Sequence, residues 1–219
     1  MKYNIKIALP KIKMYYSIFF MIILALIRGV SNPEEIGIAM DANVALLAII
    51  FCSDVYFQEI HENRWEVFYL LPVRNRFHSI CQRLFIQIIY LSILCILNYW
   101  VFYVHFITYR SEGNLFSIYI TAIFACSASV LFFGTLSFTF VNILKNLWGG
   151  IGVTFLIWIT LNSTFGKRIP SYINVFAYGN SQDALVSTDW IFGKVAAVIA
   201  SILLIYSNKY LLVCKGKGR

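Results

Sequence analysis

Residues 58–76 read QEIHENRWEVFYLLPVRNR. They hold Glu59, Glu62 and Glu66, three of the ten acidic residues in the chain, together with Arg64, Arg74 and Arg76. Long apolar runs flank the stretch on both sides. If those runs cross a bilayer, a charged, amphipathic segment between them has to lie in water or among lipid head groups. Its reading therefore depends on the runs around it.

The chain has 219 residues, 60% of them hydrophobic and 13% charged. Its mean hydropathy is +0.74. A soluble domain is about half apolar and a quarter charged. The apolar excess comes in blocks of roughly 20 residues, the length a helix needs to cross a bilayer. The expectation is an all-α integral membrane protein forming a single transmembrane domain over residues 1–219. Its six spans are placed at 15–30, 39–57, 79–106, 115–143, 149–165 and 189–213. The third is longer than a bilayer requires and is expected to tilt or extend beyond it. Ala122, Ala125, Ser127, Ala128, Ser129 and Gly134 in the fourth allow close helix approach.

Six spans put both ends on one side. Lys2, Lys6, Lys11, Lys13, Arg64, Arg74, Arg76, Arg83, Lys145, Lys209, Lys215, Lys217 and Arg219 fall in segments on that side. Arg28, Arg110, Lys167, Arg168 and Lys194 fall towards the other. Basic residues mark the cytoplasmic face, so both termini and residues 58–78 are assigned to the cytoplasm of a cell-membrane protein. The net charge of +8 is then a topology signal and does not point to nucleic acid. Residues 1–14 alternate lysines with apolar residues around Pro10. They suit an amphipathic helix on the inner surface, with a basic tail as the competing reading.

The five cysteines, Cys52, Cys81, Cys95, Cys126 and Cys214, show no C-x-x-C spacing and read as core residues. His61–Glu62 begins an H-E-x-x-H pattern, but Trp65 stands where the second histidine belongs, so no zinc site forms. No G-x-x-x-x-G-K-[ST] stretch is present to hold ATP phosphates. Asp54 and Arg83 lie near the ends of neighbouring spans and are expected to form an intramembrane charge pair. Lys194, in span six, is expected to snorkel outward.

As a helix, residues 58–71 place Glu59, Glu62 and Glu66 on one face and much of the apolar surface on others. Pro72 ends or kinks that helix. Asn63 is the residue best able to form an elbow within it. An ordinary interfacial helix is the competing reading, but a helix that only binds anionic lipid would be basic across its polar side. Three carboxylates suit a face covered by another protein.

The segment resembles the one between spans two and three of ABC exporter permeases of the ABC-2 type, which runs roughly E-R-E-x-G-T-x-E-x-L-L-x-x-P-x-x-R. Glu59 matches the first acid, Trp65–Glu66 the pair after the elbow, Leu70–Leu71 the apolar pair, and Pro72 the proline. Arg74 and Arg76 match the basic end. The chain departs at Asn63, where the family has glycine, and at His61, where it has a second acid. The resemblance implies a cytoplasmic coupling helix that docks on a separate ATPase subunit. Glu59, Glu62, Asn63, Trp65, Glu66, Leu70, Leu71, Pro72, Arg74 and Arg76 would be its contact residues.

It also implies that this chain is a non-catalytic subunit that binds no cofactor, ATP and Mg being held by the partner ATPase. A second permease, identical or homologous, would complete the pathway. The aromatic spans suit a hydrophobic or amphipathic cargo: a peptide, an antibiotic or a lipid-linked molecule. The alternatives are a channel or secondary transporter that works without an ATPase, and a membrane immunity or assembly subunit.

Overall fold

The computed structural model describes residues 2–55, 73–105, 114–180 and 189–214, and every regular element among them is helical. A short helix, α1 (Lys2–Ala8), stops before Pro10, and α2 (Lys11–Ile27) starts directly after it. Pro10 is extended at ψ 148°, and proline disfavours helix in the residue before it, so the break sits where the ring dictates. Next come α3 (Pro33–Cys52), α4 (Val73–His105), α5 (Leu115–Leu144) and α6 (Leu147–Asn162). A single 3-10 turn at Gly166–Arg168 and a four-residue helix, α7 (Ala177–Asn180), precede α8 (Asp189–Cys214).

Among the described residues, four helical stretches are long and apolar enough to cross a membrane: Pro33–Cys52, Phe77–His105, Leu115–Leu144 and Asp189–Tyr210. The shorter Leu147–Asn162 is equally apolar. At 1.5 Å per residue it reaches only ~24 Å, against a hydrocarbon thickness of about 30 Å.

Two helix starts lie six residues before the expected ones, at 33 for 39 and at 73 for 79. α3 begins at Pro33, so Glu34 and Glu35 belong to its first turn and not to a connecting loop. The Glu35 carboxylate accepts the backbone N–H groups of Ser31 (2.9 Å) and Asn32 (3.4 Å), satisfying donors that the helix start leaves open. α4 begins at Val73, so the last residues assigned to the coupling segment are the first turns of a 33-residue helix.

α5 is the hub, packing against α3, α4, α6 and α8. Its small residues make this possible. Ala122, Ala125, Ala128, Ser129 and Gly134 are all buried, and a Cβ at Gly134 would stand 3.0 Å from the Cys52 Sγ. The turn from α5 to α6 is made by Lys145 in the left-handed region (φ 54°) and by Asn146, whose side chain accepts the Gly149 N–H.

Residues 166–178, after α6, fold back onto the bundle. Asn174 donates to the Gly166 carbonyl (2.8 Å) and accepts from the Phe176 N–H (2.9 Å). Phe176 stacks on Phe133, and Tyr178 meets Trp190 edge-on. Burial pushes the Tyr178 phenol well above its ordinary range, which keeps it neutral.

Candidate functional site

Glu59, Glu62, Asn63, Trp65, Glu66, Leu70, Leu71 and Pro72 lie outside the described residues. Arg74 and Arg76 lie on the helical backbone of the first turns of α4. The two helices that flank the segment, α3 and α4, pack against each other.

At the end of α3, Lys13 of α2 is 6% exposed. Its ammonium donates to the Phe51 carbonyl at 2.9 Å and to the Asp54 carboxylate. It also lies 5.0 Å from the centre of the Phe51 ring. Phe51 stacks on Tyr90 of α4 and meets Tyr16 of α2, and Ser17 shares a hydrogen bond with Tyr90 at 3.0 Å. One cation and three rings thus join α2, α3 and α4 where α3 leads into residue 56 and beyond. Sequence reasoning expected Arg83 as the partner of Asp54. Among the described residues, Lys13 also pairs with Asp54. Arg83 is buried in α4. The signal for Lys13 was present in its position two residues into an apolar helix, where a lysine needs either water or an anion.

A second constellation was missed. Lys194 does not snorkel outward: its side chain is 0% exposed. Its ammonium donates to both oxygens of Asp41 (2.8 and 2.6 Å) and to the Ser129 hydroxyl (2.7 Å). The face of Phe176 lies 5.9 Å from the same nitrogen. Asp41 comes from α3, Ser129 from α5 and Lys194 from α8, so one ammonium ties three helices. The two charged residues are 153 positions apart in sequence, and each by itself reads as an isolated charge. A usable clue is that both stand a few residues inside apolar helices. All three hydrogens of the Lys194 ammonium have acceptors within the cluster.

A further polar tie joins α5 and α8. Asn142 donates to Asn208 (2.8 Å), and Asn208 donates to Thr139 (2.8 Å). Among the described residues, no group of three or more His, Cys, Asp or Glu stands close enough together to hold a metal ion.

No family model, curated protein or solved structure matched the chain in the comparisons made.

Proposed function

We propose that this chain is the membrane subunit of an ATP-driven exporter of the ABC-2 permease type. In this reading it has six spans, both ends in the cytoplasm, and residues 58–78 as the coupling segment between spans two and three. The observation that carries it is the order of residues in that segment. Glu59, Trp65–Glu66, Leu70–Leu71, Pro72 and Arg74 to Arg76 follow one another as in that family, between two apolar helices. The described fold is compatible with such a role. α3 is fastened to α2 by Lys13 just before the segment, and α4, an unbroken helix of 33 residues, begins at Val73 within its last part. A push delivered to the segment would act on stiff rods. ATP and Mg would belong to the partner ATPase, and a second permease would help enclose the path of a hydrophobic or amphipathic cargo.

The test is recovery of a P-loop ATPase with the tagged chain from native membranes, identified by mass spectrometry. Glu66→Lys and Trp65→Ala are expected to lose that ATPase while inserting at normal levels. Retention of the ATPase by both variants would count against the assignment.

The Asp41–Lys194 pair favours a second reading, a secondary transporter without an ATPase, because buried acid–base pairs serve proton relays in such proteins. That reading requires proton-driven uptake in vesicles containing this chain alone.

A further inference from the structure

The second half of α8 turns its polar residues inward. Over residues 198–210 its buried positions are Ser201 and Asn208, while Ile199, Ile202, Leu203 and Tyr206 are exposed. Lys194, Ser201 and Asn208 stand at i, i+7 and i+14, on one face of the helix, and are 0%, 0% and 1% exposed. On α5, Thr135, Thr139 and Asn142 are buried at i, i+4 and i+7. The two helices run side by side in one direction, since Lys194 meets Ser129 and Asn208 meets Asn142 at separations of 65 and 66 residues. That register sets Ser201 level with Thr135 and Leu136. The polar row extends ~21 Å along α8, from Asn208 to Lys194, at 1.5 Å per residue. Its two ends fasten the helices, through Lys194 to Ser129 and through Asn208 to Asn142 and Thr139. In the middle, Ser201 donates to the Ala197 carbonyl (2.7 Å) and Thr135 to the Leu131 carbonyl (2.9 Å), each on its own helix. Those two bonds make the contact polar without tying it.

The contact of α5 with α3 is built otherwise, mostly from small and apolar residues. A Cβ at Gly37 would stand 2.7 Å from the Ala122 Cβ, and one at Gly134 would stand 3.0 Å from the Cys52 Sγ. Parting α3 from α5 would wet apolar surface, which water opposes in proportion to its area. Parting α5 from α8 would exchange side-chain hydrogen bonds for bonds to water, at little net loss. We infer that the α5–α8 contact is the line along which this bundle opens. Water enters at Asn142 and Asn208 and advances past Thr135 and Ser201 towards the Asp41–Lys194 pair. Asn142 lies two residues before the end of α5, so that end of the row meets solvent first. Such opening belongs to this chain alone and needs no ATPase.

The experiment uses the full chain in phosphatidylcholine nanodiscs, where both faces meet solution. Each version keeps a single cysteine: Ser201→Cys, Thr135→Cys, Ile202→Cys or the native Cys95. A charged methanethiosulfonate is added, and modification is followed by intact-mass spectrometry. Ile202 neighbours Ser201 at the same depth but is 59% exposed on the outside of the bundle, and Cys95 is buried in α4. Ser201→Cys and Thr135→Cys are expected to react at least about tenfold faster than the other two, because the reagent attacks thiolate and thiolate forms in water. Equally slow modification at all four positions would overturn the proposal and leave the row as dry glue between helices. A second comparison replaces both Asn142 and Asn208 with leucine. If the two amides form the mouth, Ser201→Cys reacts severalfold more slowly in that background. If they only fasten the helices, it reacts faster, which would also overturn the proposal. The four-position comparison decides even if the leucine variant does not fold.

Discussion

At the residue scale, the Asp41–Lys194–Ser129 cluster sets the terms on which three helices meet. Both charges are stripped of solvent, and their mutual attraction must offset that loss. Lys194→Met alone leaves a buried, unpaired carboxylate. It is expected to cost about 3–5 kcal/mol, read as a lower thermal midpoint and a smaller folded fraction in detergent. Replacing both partners, Asp41→Leu with Lys194→Met, removes the unpaired charge and should recover much of that loss. A double variant no better than the worse single one would show that the pair is not what holds these helices. The cluster was not legible beforehand for a physical reason. Snorkelling and burial are equally open to a lysine near a helix end, and only the packing of α3 against α8 through α5 decides between them.

At the element scale, most of the helical layout could be read from the chain. Apolar blocks of bilayer length mark the long helices, and Pro10 and Asn146 mark their interruptions at the positions where the rigid ring and the capping amide act. The start of α3 was legible in principle, since asparagine followed three residues later by glutamate is a capping signature, but the acids were read as loop. The packed return between α6 and α8 was not legible. Its Tyr178 and Phe176 look like interface aromatics until α3 and α5 supply surfaces for them. Gly37 shows how tight that seat is: a Cβ there would stand 2.6 Å from the Tyr178 hydroxyl and 2.7 Å from the Ala122 Cβ. Gly37→Ala is therefore expected to destabilise by about 1–3 kcal/mol through overpacking. Gly152→Ala, where a Cβ meets open space, should be neutral or slightly stabilising. Thermal unfolding of the two variants side by side checks this, and equal midpoints would mean that α7 yields freely.

At the scale of the whole molecule, the described helices form a bundle centred on α5, with α2 and α4 fastened to the end of α3. In the proposed function that fastening matters because residues 58–76 would receive force from outside the membrane and pass it to α3 and α4. The sequence carries this claim through residue order and charge, and the fold contributes the stiff neighbours. The most direct measurement places a single cysteine at Glu62→Cys in a chain whose own five cysteines have been replaced. A membrane-impermeant maleimide is applied from either side, with and without the partner ATPase. The account predicts labelling only from the cytoplasmic face and its loss when the ATPase is bound. Labelling from the opposite face, or labelling that the ATPase leaves unchanged, would contradict it.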